Sequence, residues 1–153
     1  MKIWRVEQAI PAHIPAIAAN MREADRIEVW VSHRHAPAQA LASSLKRSEM
    51  AWTCLVDGVP AFMWGVARLG SLISRKGSPW LLGTPAIHRT SREFLRQCPA
   101  YVERMQARFP RLENFVHARN RLSVRWLRWL GFTVEAAATV INDEPFFLFW
   151  RER

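Results

Sequence analysis

Arg119, Arg121, Arg125 and Arg128 make a concentrated positive face late in the chain. A guanidinium offers phosphate and carboxylate a rigid fork of donors. Such a face could meet a carboxylate-rich partner or nucleic acid. The whole chain leans the same way: its net charge is +9, and Lys2, Lys46 and Lys76 are the only lysines among 22 basic residues. A solvated surface accounts for that composition equally well, and no disordered basic tail accompanies it. His33 and His35 lie close to Pro37 and apart from any Cys or Asp, so no metal site is expected. Cys54 and Cys98 also lack metal-like spacing and read as reduced core residues. Trp126 and Trp129, spaced with Leu122 and Leu130, predict core packing rather than stacking on bases.

The elements that must position these groups follow from periodicity. A chain of 153 residues, 50% of them apolar, suits one domain over 1–153 with a real core. It has no apolar run long enough to span a membrane and no signal-peptide pattern, so a soluble, intracellular protein is expected. Lys2 to Glu7 reads as a strand, and His13 to Ala24 as an amphipathic helix with Arg22, Glu23, Asp25 and Arg26 near its end. After Ile27 to Val31 and a polar connection, Pro37 opens a second helix carrying Leu41, Ala42 and Leu45. Asp57-Gly58 between Ala51–Val56 and Val59–Val66 is a hairpin signal, since both turn residues tolerate positive φ.

A loop from Leu69 to Pro79 leads to a short strand, Trp80 to Leu82. Phe94, Cys98, Tyr101, Val102, Met105 and Phe109 then recur at helical spacing through a long central helix, which Pro99 should kink or divide. Glu113 to Ala118 reads as a strand, Asn120 as a helix N-cap and Gly131 as the helix end. Phe132–Ile141 and Pro145–Trp150 supply the last strands, the second apolar on both faces. The expected class is α/β (α+β): a mixed, mostly antiparallel sheet of about six or seven strands with helices on both faces. The expected order is β-α-α-β-β-β-α-β-α-β-β.

That order resembles the GCN5-related N-acetyltransferase (GNAT) fold over nearly the whole chain. Asn120, Ser123, Gly131 and Phe132 match the spacing of the late strand-helix unit in that superfamily. The segments MREADRIEVW, WTCLVDGVP, PWLLGT and RLENFVHARNRLSVRWLRWLGF look more narrowly like a GNAT-like family of tailed phages and prophages. That family is similar to an internal virion or morphogenesis protein of short-tailed phages. The resemblance implies a bacterial cytoplasmic protein, or one carried in a phage virion, with a phage or host protein as partner.

In GNAT enzymes acetyl-CoA lays its pyrophosphate on backbone N–H groups between the fourth strand and the central helix, where glycines allow close approach. The corresponding basic-x-x-Gly-x-Gly pattern falls here on His88, Ser91 and Glu93, so both glycines are missing. If acetyl-CoA or CoA binds, the resemblance implies contacts from Leu82, Thr84, His88, Arg89, Arg92 and Asn120. Arg89, Arg92 and Arg96 could hold an anion near the helix start. Glu113, His117 and Asn120 are the catalytic candidates, and His88 is a further candidate base. Leu127 stands where many of these enzymes carry a tyrosine that protonates the departing thiolate. The sequence therefore favours a degenerate acetyl-CoA site in a binding or virion-assembly protein. An active N-acetyltransferase is the alternative, and nucleic-acid binding through the arginine face is the weaker one.

Overall fold

A computed structural model of the chain describes residues 2–89 and 92–153. The hairpin forms as its turn dictates: Asp57 and Gly58 take φ of 50° and 80°, and Val56 pairs with Val59. Asp57 also fastens the first strand, its Oδ1 accepting the Ile3 N–H at 2.9 Å. The strands are β1 (Trp4–Gln8), β2 (Ser48–Val56), β3 (Val59–Arg68), β4 (Lys76–Gly83), β5 (Arg111–His117), β6 (Thr133–Val134), β7 (Thr139–Ile141) and β8 (Glu144–Glu152). They form one eight-stranded sheet ordered β1-β2-β3-β4-β5-β8-β6, with β7 also on β8. Every pairing is antiparallel except that of β4 with β5.

Five helices, α1 (Ile14–Ala19), α2 (Glu23–His33), α3 (Pro37–Arg47), α4 (Arg92–Arg108) and α5 (Arg121–Trp129), cover the sheet. Side chains alternate along β3, so the two faces build separate cores. Met63 meets Ile17 and Met21 from the α1 end and Ala40 and Leu41 of α3 on one side. Phe62, Trp64 and Val66 meet Phe94, Cys98, Val102 and Met105 of α4 on the other, where Val124 of α5 joins them.

Several expectations need correction. The helix expected over His13–Ala24 breaks at Asn20, and α2 begins at Glu23 and absorbs Ile27–Val31, giving three helices before the hairpin rather than two. The cause is Arg22, whose backbone N–H donates to Gly83 O of β4 at 2.8 Å and so cannot continue α1. Strand β4 starts at Lys76 rather than Trp80, because Ser78 and Pro79 already pair with β3. Pro99 lies within α4 on its exposed side and does not divide it. The expected strand Phe132–Ile141 is two short strands, separated by exposed alanines with nothing to bury. On α5 the inward residues are Val124, Trp126, Leu127 and Leu130, whereas Leu122 is 38% and Trp129 57% exposed. Trp129 is therefore not a core residue.

Candidate active site

The parallel ladder between β4 and β5 is short. Lys76 pairs with Arg111 and Gly77 with Leu112, and then the strands part. Gly77 permits the close end, since a Cβ there would lie 2.7 Å from Phe109. One step on, Asn114 Nδ2 donates to Pro79 O at 2.8 Å, spanning the widening gap with a side chain. Beyond it a cavity of about 460 Å³ passes between the strands. Ser78 to Leu82 and Asn114 to Val116 form its edges, Glu28, Ser32 and Arg47 line it from one face, and Tyr101, Trp126 and Leu127 from the other. A volume of this size suits a small-molecule ligand.

A buried polar network holds the wall. Arg22 is 6% and Asp25 1% exposed, and they form a two-pronged pair at 3.0 and 2.9 Å. Asp25 Oδ2 also accepts the Gly83 N–H at 3.0 Å, which fixes α2 against the end of β4. The same Arg22 Nη2 donates to Asn120 Oδ1 at 3.2 Å and Ser123 Oγ at 3.0 Å, which fixes the start of α5. Asn120 stands at the N-cap position but makes no side-chain cap bond, so the capping role expected of it is replaced by this contact. Burial pushes the Asp25 carboxyl above its ordinary value, offset in part by Arg22 and the Gly83 N–H.

Glu28 sits one turn further along α2 and reaches the cavity itself. Its Oε1 accepts the His117 N–H at 2.6 Å. Burial pushes its carboxyl up from 4.5 to about 7, helped by the nearby Asp25 charge and opposed by the His117 N–H, Arg22 and Asn120. A carboxylate poised near neutrality at a cavity wall has the properties of a general base.

The residues singled out in the sequence divide around this slot. Leu82 lines it. Asn120 braces it through Arg22, and its buried side chain also faces Glu28, whose carboxylate it favours. His117 contributes its backbone N–H, while its ring packs edge-on against Phe146 and its Nδ1 accepts the Arg119 N–H at 3.1 Å. Glu113 lies at the closed end, 3.3 Å from Lys76 and 3.9 Å from Arg111, and does not line the cavity. Thr84 follows β4 and its hydroxyl accepts the Ala86 N–H at 3.3 Å. His88, Arg89 and Arg92 are exposed around the turn after β4, and Ser91 is outside the described residues. None of Arg119, Arg121, Arg125 and Arg128 lines the slot; the last three border a separate shallow depression with Phe147. Neither cysteine is oxidised, and no metal-binding cluster occurs among the described residues.

Glu28 and Asp25 were not legible as site residues. Their only trace in the sequence is the spacing Arg22, Asp25, Glu28, a charged stripe along one helix face.

No family model and no curated protein matches the chain in sequence. In three dimensions it superposes along its whole length on solved acetyltransferases. A GCN5-related N-acetyltransferase from Kribbella flavida matches with a TM-score of 0.69 at 16% identity, covering 98% of each chain. The fold is the GNAT fold. A second match, a putative acetyltransferase from Salmonella typhimurium solved with its cofactor acetyl-CoA, has a TM-score of 0.66 at 15% identity over 97% of this chain and 93% of that one. The ribosomal-protein-S5-alanine acetyltransferase of Vibrio fischeri gives 0.65 at 14% identity over 97% and 92%. At these identities GNAT likeness is a statement about fold. No helix among the described residues is long and apolar enough to cross a membrane.

Proposed function

We propose that this GNAT-fold chain is an acyl-CoA-dependent N-acyltransferase, with Glu28 as its general base. The carrying observation is the open slot between β4 and β5, walled by a carboxyl that titrates near 7.

The residues present fit the acyl-bearing arm of such a cofactor. The slot is mostly apolar, and Trp126, on its wall, has a buried Nε1 with no hydrogen-bond partner among the described residues. A buried donor left over in a folded chain marks a place for a ligand acceptor such as an amide or thioester carbonyl. The phosphate end fits differently from the usual arrangement. After β4 the N–H groups of Gly83, Thr84, Ala86 and Ile87 are already spent on Asp25, Ala61 and Thr84. Beyond them the exposed guanidiniums of Arg89, Arg92 and Arg96 would add charged donors for the phosphates.

The cofactor supplies a thioester carbonyl for attack by an amine, so that a C–N bond forms and the C–S bond breaks. Glu28, ionised above about pH 7, takes the proton from the attacking amine. The His117 N–H holds the carboxylate in place, and the Arg22–Asp25 pair fixes the helix that carries it. Leu127 on the opposite wall donates nothing. Tyr101, the single tyrosine, does line the slot, and burial raises its pKa so that it stays protonated and able to donate.

The missing glycines and Leu127 favour the binding or virion-assembly reading, and the slot weighs against it. A purely architectural protein gains nothing from a void through its sheet or from a carboxyl buried at a cost to stability. Titration with acetyl-CoA, followed by calorimetry and by thiol release in the presence of amines, separates the two. Saturable micromolar binding with thiol release supports the enzyme; flat titrations for the wild-type chain rule it out and restore the assembly reading.

A further inference from the structure

The slot carries a second chemical signal at its α2–α3 wall. His33, His35 and Arg47 line it there together with the hydroxyl residues Ser32 and Ser44. The αL turn at Arg34, with φ of 56°, brings the two imidazoles side by side, their centroids 5.6 Å apart and their planes 28° from parallel. Ser32 ties the pair to the helix: its Oγ donates to Glu28 O at 2.6 Å and lies 2.8 Å from His33 Nδ1. Burial, then His35, then Arg47 hold the His33 pKa below its ordinary value, so its ring meets the cavity as a neutral hydrogen-bonding group.

Among the described residues Arg47 makes no ion pair, although the neighbouring Arg68 is satisfied by Glu49 at 2.7 Å. The one acidic group in the cavity lining, Glu28, is engaged by the His117 N–H. Arg47, unpaired beside two imidazoles and two hydroxyl residues on the same wall, offers an anion a charged fork flanked by neutral donors.

We infer that this wall takes an anionic group, a carboxylate or a phosphate, belonging to the acyl acceptor. The inference deepens the acyltransferase reading and rests on it for the word acceptor. Glu28 and His33 are five residues apart on α2, about 7.5 Å along the helix axis. The anion is then separated from the reacting amine by several bonds, as in an aminoalkyl carboxylate or phosphate.

The test uses the full-length chain with 6-aminohexanoate and its neutral counterpart hexylamine, each titrated calorimetrically without cofactor and then assayed with acetyl-CoA. The anionic amine should bind at least tenfold tighter and turn over with a correspondingly higher kcat/KM. Arg47→Gln, a change at an exposed position, should abolish that preference through KM. Equal binding of the two amines, or a preference that survives both Arg47→Gln and His35→Gln, overturns the assignment. If Arg47→Gln instead weakens coenzyme A tenfold and leaves pantetheine alone, the anion belongs to the cofactor and the acceptor assignment falls. If acetyl-CoA never binds while the amine preference persists and depends on Arg47, the anion site stands and the acyltransferase reading falls.

Discussion

Replacing Glu28 with Gln should make the chain more stable and less active, and the stability gain should depend on pH. The folded chain holds the Glu28 proton up to about pH 7, whereas the unfolded chain releases it near 4.5. Between those values the folded state binds more protons, so this group's contribution to stability falls as pH rises and is fully lost above about 7. The separation of the two values corresponds to about 3 kcal/mol. A Gln side chain keeps an oxygen for the His117 N–H at 2.6 Å but has no charge to desolvate. At pH 8 Glu28→Gln should therefore exceed the wild type by up to about 3 kcal/mol, or roughly 6–12 °C in Tm for a domain of this size. The gap should close on going down to pH 4.5. Asp25 has a raised pKa of its own, but it is present in both proteins and its slope largely cancels in the difference. Urea unfolding at intervals from pH 4.5 to 8 measures the gap directly. In parallel, acyl transfer should drop by roughly 10²–10⁴-fold with acetyl-CoA affinity retained, the usual loss for a general base. An equal stability difference at pH 5 and pH 8 would refute the buried-carboxylate account, and an unchanged rate would refute the base.

Arg22→Met leaves Asp25 buried without its partner and should cost about 3–5 kcal/mol in urea unfolding; a loss below about 1 kcal/mol would mean that water reaches the pair. Trp126→Phe removes the unpartnered Nε1 while keeping the ring packing, so stability should hold or rise. Its affinity for acetyl-CoA should fall by about tenfold if that donor meets the ligand, and an unchanged dissociation constant would dismiss the contact. Cys54 and Cys98, whose pKa values burial pushes up to about 12, should resist thiol reagents in the native chain and react only once it is unfolded; rapid labelling under native conditions would contradict their burial.

How much of this was legible depends on whether a residue's partner lies near it in sequence. The Asp57-Gly58 hairpin was legible because two adjacent residues with positive φ specify it on their own. The end of α5 at Gly131, with φ of 87°, was legible for the same reason. The site was not, because α2 is built the wrong way round for a surface helix: Arg22 and Asp25 are buried while Ile27 is 43% and Trp30 54% exposed. Hydrophobic periodicity assigns the inward face to apolar residues, and here Asp25 and Glu28 share it with Val29 and Val31. Its partners are remote in sequence, Gly83 at 58 residues from Asp25, His117 at 89 from Glu28 and Asn120 at 98 from Arg22. Buried charge at this density is tolerated only where good geometry pairs it, as Arg22 and Asp25 are paired here, while Glu28 faces the slot. Glu113 and His117 drew attention as titratable residues on the strand beside the gap. One is spent on Lys76, and the other lends Glu28 its backbone rather than its ring. The carboxyl proposed as the base thus sits one layer behind the strand, on the helix the strand holds in place, and only the register between α2 and β5 could have revealed it.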